Sequence, residues 1–151
     1  MTEQRISFTL NGLVHEMNSQ ADGILRAQFS LTYSQFLFLQ VLAEGQPLDI
    51  THLAEALNVT KAAVSKRIEW FVGRDLVVTS REAGNAKRVL VSLTTQGLRL
   101  AQTSGDFLER EFLSAMSDAP GVDFSMLNGQ LGQLLAHLKK IKPALGDVHA
   151  E

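Results

Sequence analysis

Between Gln46 and Val72 the chain reads QPLDITHLAEALNVTKAAVSKRIEWFV, and nothing else in it restricts the fold so tightly. Asp49 is placed to cap a short helix carrying Leu53, Ala54 and Leu57. Asn58-Val59 makes the turn, and Thr60 caps a second helix with Val64, Ile68, Phe71 and Val72 on its inner face. The Asp and Thr oxygens at these positions satisfy amides that a helix start leaves without partners. Two short capped helices joined by so tight a turn form a helix-turn-helix. Ala54 is small enough to let the helices cross closely, and Val59 plugs the turn from inside.

The flanking segments extend this unit. Upstream, LTYSQF places Thr32 and Gln35 as a capping box, with Leu31 stapled onto Phe36. That helix runs through Leu37, Phe38, Val41 and Leu42 and is expected to stop at Glu44-Gly45 with glycine in a left-handed cap. Before it, Ile6, Leu10, Leu13, Val14 and Met17 recur at helical spacing, predicting one long helix over Ile6 to Ala27, irregular near Gly12 and Gly23. Downstream, LVVTS and RVLVSL read as two strands, with Val89, Val91 and Leu93 facing inward, joined by REAGNAK with Gly84-Asn85 at its tip. Thr94 or Thr95 caps a helix carrying Leu98, Leu100, Phe107, Leu108, Phe112 and Leu113, which breaks at SDAPG. Asp123 caps a last helix with Phe124, Leu127, Leu131, Leu134, Leu135, Leu138 and Ile141. The fold class is mainly α: a winged helix-turn-helix of three helices plus a two-stranded wing, flanked by N- and C-terminal helices.

Charge gives this unit a partner. The net charge is -2, yet residues 61–88 hold Lys61, Lys66, Arg67, Arg74, Arg81, Lys87 and Arg88 against Glu69, Asp75 and Glu82, a local +4 that leaves -6 elsewhere. A basic segment on an acidic body is the pattern of polyanion binding. On the second helix, Ala62, Ser65, Lys66 and Glu69 lie opposite the inner face and are the candidate base readers. Lys66 suits guanine O6 or N7, Glu69 suits cytosine N4, Ala62 a thymine methyl, and Ser65 several base edges. Thr60, Lys61 and Arg67 are placed for phosphate, and Arg81, Asn85, Lys87 and Arg88 for phosphate or the minor groove through the wing. Trp70, beside Arg67 and Arg74, is read as packing against the wing or a neighbouring helix.

Other classes find little support. With 151 residues, 45% of them hydrophobic, the chain can bury a core of its own. It has no cysteine, which removes thiolate metal sites and thiol redox switching. The first residues lack the basic-then-apolar pattern of a signal peptide, and no apolar run approaches a membrane span, so a soluble cytoplasmic protein is expected. His15, His52, His137 and His149 are read as lacking a histidine or carboxylate mate at helical metal-site spacing. No Gly-rich phosphate loop, nucleophile elbow or acid/base pair is found, so neither enzyme activity nor a cofactor is expected.

From about Leu31 to Arg99 the chain resembles the MarR family of winged-helix transcriptional regulators: LTYSQFLFLQVL, then LDITHLAEALNVTKAAVSKRIEWFVGRDLV, then RVLVSLTTQG. The resemblance implies dimerisation helices at 1–30 and 100–145, a DNA-binding domain at 31–99 and a tail at 146–151. It also implies a homodimeric regulator, most often a repressor, released from double-stranded DNA by a small aromatic or amphipathic effector. Leu13, His15, Met17, Phe38 and Phe107 are the candidate pocket lining. Two positions depart from the family pattern. Asp75 stands where a glycine is frequent, and Asn85, Ala86 and Lys87 replace an Asp-Arg-Arg-like triplet, removing the acidic residue expected to orient a wing arginine. The rival readings are a winged helix that binds protein instead of DNA, and an accessory domain of an enzyme.

Overall fold

The computed structural model describes residues 5–146, with side chains to Ile141; His149 and the tail beyond Gly146 lie outside the described residues. The helices are α1 (Ile6–Phe29), α2 (Tyr33–Gly45), α3 (Ile50–Leu57), α4 (Lys61–Val72), α5 (Thr95–Met116) and α6 (Phe124–Gly146). The strands are β1 (Leu48–Asp49), β2 (Val77–Glu82) and β3 (Asn85–Leu93), in the antiparallel order β1-β3-β2. One compact unit extends to Leu113 and a second begins at Ser114.

The caps set most of these boundaries. Thr32 Oγ1 accepts the Gln35 amide at 3.1 Å while the Gln35 side chain accepts the Thr32 amide at 2.9 Å, closing the capping box. Asp49 caps α3 through the His52 amide, and Thr60 caps α4 through that of Ala63. Asn58 takes the left-handed conformation between them, at φ 52°. At the start of α5, Thr94 rather than Thr95 is the cap, accepting from Gly97 N–H at 2.9 Å. Asp123 caps α6 through the Met126 amide.

Four expectations are corrected. Gly45 has no positive φ and stays within α2; Gln46 ends the helix in an extended conformation, as a residue before proline prefers. α1 continues unbroken through Gly12 and Gly23 to Phe29. The wing belongs to a three-stranded sheet, since Leu48 and Asp49 pair with Val91 and Leu90. Val72 is 45% exposed instead of facing inward, because the buried arc of α4 is complete with Val64, Ile68 and Phe71.

The core of the first unit gathers Leu25, Leu31, Phe38, Leu39, Leu42, Leu53, Val64, Phe71, Val77 and Val91 from α1 through β3. Phe38 stacks on Phe71 with ring centroids 4.6 Å apart. The junction leading into and out of the wing is tightly made. Asp75 adopts φ 55°, the left-handed geometry usually given to glycine. Its carbonyl accepts the Thr94 hydroxyl at 2.7 Å, and the Leu76 carbonyl accepts the Thr94 amide at 3.1 Å. Gly97 lies so close that a Cβ there would stand 1.9 Å from the Leu76 oxygen. The Gln40 side chain donates to the Ala101 carbonyl at 2.7 Å, tying α2 to α5.

Candidate nucleic-acid interface

α4 divides cleanly by accessibility. Val64, Ile68 and Phe71 are buried, while Lys61, Ala62, Ser65, Lys66 and Glu69 are exposed along the other side and Arg67 is half-buried at its margin. The exposed arc carries a cation near each end of its first half, small side chains between them and a carboxylate beyond. That arrangement can meet phosphate and base edges together. Thr60 is exposed at the helix start, its oxygen committed to the cap. Trp70 meets Phe71 edge-on at 4.9 Å, and the Arg74 guanidinium lies 3.7 Å from the Trp70 ring centre while donating to the Trp70 carbonyl. Arg74 is thereby held on the helix flank.

In the wing, the turn is shorter than REAGNAK suggests. Glu82 already pairs with Asn85, leaving Ala83 and Gly84 to reverse the chain, with Gly84 at φ 82°. Arg81, Asn85 and Lys87 are exposed, and the Arg81 guanidinium donates to the Ala86 carbonyl. Arg88 is the exception among the candidate contacts. Its Nε donates to Asp49 Oδ2 and its Nη1 to Glu82 Oε2, both at 2.9 Å. The Glu82 and Asp49 carboxylates raise its pKa further above the ordinary arginine value, in that order of importance. The orienting acid missing from the wing triplet is thus supplied from other strands, a relation that local sequence does not display.

Asp49 is also where the histidine reading is corrected. His52 Nδ1 lies 2.6 Å from Asp49 Oδ1, a mate at the i+3 spacing, because the cap residue sits just outside the helix yet over its first turn. The His52 amide, the His52 ring and Arg88 together pull the Asp49 carboxyl down to about 2. Among the described residues, no three side chains of metal-ligating type cluster. A hollow of about 240 Å³ between the wing and the start of α3 is lined by Asp49, Thr51, Asn85, Lys87 and Arg88. Thr51 was not singled out by sequence, since only folding brings α3 to β3.

The five candidate pocket residues do not converge. Phe38 belongs to the core, fully buried and stacked on Phe71. Leu13 and His15 are exposed on α1, and Phe107 meets Phe29 edge-on at 5.5 Å. Only Met17 of the five borders the recess of about 180 Å³ formed with Ala21, Tyr33, Phe36, Leu108 and Phe112. Phe36 and Phe112, which wall it, were legible as packing residues but not as pocket lining.

Comparison with known proteins agrees with this geometry. A model of the MarR family matches residues 29–88. The chain is 26% identical over 136 residues to the organic hydroperoxide resistance transcriptional regulator of Bacillus subtilis, covering 90% of each. The MepR–DNA complex of Staphylococcus aureus superposes with a TM-score of 0.70 at 25% identity, over 90% of this chain and all of that one. NadR in complex with 4-hydroxyphenylacetate superposes with a TM-score of 0.73 at 24% identity, over 94% of this chain and 97% of that one.

Proposed function

We propose that this chain is a MarR-family regulator, on the strength of its winged-helix segment, and that it acts as a homodimeric repressor, reading a pseudo-palindromic operator and releasing it when a small molecule binds. The observation that carries the DNA-binding reading is the exposed arc of α4, with Lys61, Ala62, Ser65, Lys66 and Glu69 set opposite a fully packed face. The family and the relatives are transcriptional regulators rather than enzymes.

Dimerisation is supported by apolar surface that each end of the chain leaves uncovered. In α1, Ile6, Phe8, Leu13 and Val14 are between 45% and 72% exposed; in α6, Met126, Leu131, Leu134, Leu135 and Leu138 are between 37% and 60% exposed. Helices this apolar call for a partner, and a second copy supplies matching surface. A two-fold dimer also sets two reading helices about 34 Å apart, one turn of DNA. The functional domains are then the helices at 1–30 and 100–145 and the reader at 31–99. No described helix is long and apolar enough to cross a membrane, and a cytoplasmic site of action accords with the role.

For the effector, the recess bounded by Met17, Tyr33, Phe36 and Phe112 offers apolar and aromatic walls suited to a small aromatic or amphipathic molecule. The NadR complex supports an aromatic ligand by likeness of fold. Selection of duplexes from a random pool, followed by binding at several salt concentrations, tests the central reading. With about 6 to 10 phosphates contacted, affinity should fall about 10³- to 10⁵-fold between about 50 and 200 mM salt. Failure to enrich any salt-sensitive duplex would favour a protein-binding winged helix instead.

A further inference from the structure

The wing is not held by its backbone alone. The pairing of β2 with β3 is regular from Val77 opposite Leu93 to Arg81 opposite Val89, then shifts register so that Glu82 faces Asn85. Such a bulge interrupts the ladder and re-aims the side chains beside it. Arg88 lies within this irregular stretch. Its guanidinium reaches a carboxylate on each neighbouring strand, Asp49 on β1 and Glu82 on β2, so one side chain from each strand meets across the sheet. Asp49 is mostly covered, with 14% of its side chain exposed, and it also caps α3. The same carboxylate therefore fastens the wing and starts the helix-turn-helix.

Electrostatics sets Arg88 apart from its neighbour Lys87. One guanidinium between two carboxylates leaves the triad with net negative charge, a poor place for phosphate to approach. Lys87 is exposed and has no carboxylate partner among the described ion pairs. We propose that Arg88 is a positioning residue for DNA binding: clamped by Asp49 and Glu82, it holds the outer wing with Lys87 and Asn85 against the start of α3, and its own guanidinium stays off the DNA. The inference rests on the DNA-binding reading above.

The informative variant is Asp49→Asn, because asparagine caps a helix as well as aspartate but cannot hold an ion pair. Removing an acid beside a polyanion would ordinarily tighten binding. The clamp requires the opposite: on a duplex selected with the wild-type protein, Asp49→Asn should bind about tenfold more weakly, the loss that goes with one charge-assisted contact. Lys87→Ala should then cost affinity in the wild type and little in the Asp49→Asn background. Arg88→Lys, which keeps the charge but not the planar fork, should lose as much as Arg88→Met.

Circular dichroism melts would establish that the variants are folded. Asp49→Asn binding as tightly as wild type, or more tightly, overturns the proposal. So does Arg88→Lys binding like wild type while Arg88→Met lowers the salt slope by about one, the mark of a direct phosphate contact. If the wild-type protein itself selects no salt-sensitive duplex, the DNA-binding reading fails first and the clamp's role fails with it.

Discussion

Replacing Gly97 by alanine sets two physical effects against each other. Gly97 lies in the first turn of α5, where alanine is the better helix former by about 0.5 to 1 kcal/mol. Against this, the new Cβ would stand 1.9 Å from the Leu76 oxygen and 2.9 Å from its carbonyl carbon, where real contacts stay beyond 3.0 Å. The obstacle is backbone, and Leu76 is itself buried at 5% exposure while its carbonyl accepts the Thr94 amide. Relief requires α5 to move away from Leu76 by about 1 Å, straining the Thr94 bonds. Overpacking of about 1 to 3 kcal/mol and a weakened hydrogen bond of about 0.5 to 1.5 kcal/mol outweigh the propensity gain. The net loss should be about 0.5 to 4 kcal/mol, centred on about 2, lowering Tm by about 4 to 8 °C at that centre in a chain this long. Thermal and urea denaturation at one fixed protomer concentration measure it. Gly23→Ala is the control, since nothing lies within 4 Å of a Cβ there, and it should gain stability. If Gly97→Ala proves as stable as Gly23→Ala, the close approach of α5 to Leu76 is refuted.

Asp75→Gly should leave stability unchanged or raise it by up to about 1 kcal/mol, because glycine adopts the left-handed φ without a Cβ penalty; urea denaturation decides. Lys66→Ala should cost about 1 to 3 kcal/mol on the selected duplex and relax preference at one base pair, read by repeating the selection with the variant. Asp49 has its carboxyl lowered from 3.8 to about 2 in the folded chain, so its contribution to stability is complete above the unfolded value and disappears as pH falls through about 2. Melts across the acid range should show a shallower fall for Asp49→Asn.

Much of this was legible because caps are local. Thr32 with Gln35, Asp49, Thr60 and Asp123 each announce a helix within four residues, and each makes the expected bond. The two faces of α4 followed from periodicity in the same way, except at Val72, which is exposed. What escaped depended on partners far along the chain. Leu48 and Asp49 carry no strand pattern of their own and become β1 only by meeting β3. The ion pairs of Arg88 escaped a local reading because the carboxylates that hold it lie 6 and 39 positions away. Phe38 was read as a wall because its apolar character is shared by pockets and cores, and only the Phe71 ring stacked on it tells them apart.

The junction of Asp75, Leu76 and Thr94 has a consequence for how such readers diversify. Both feet of the hairpin are bolted there, the first through two carbonyls and the second through the threonine that donates to them. Extra residues at Ala83-Gly84 would therefore lengthen a loop that is already closed, and each doubling of loop length adds only about 0.6 kcal/mol of closure entropy. Reach along the duplex is thus a property evolution or an engineer can vary almost independently of the core that supports it.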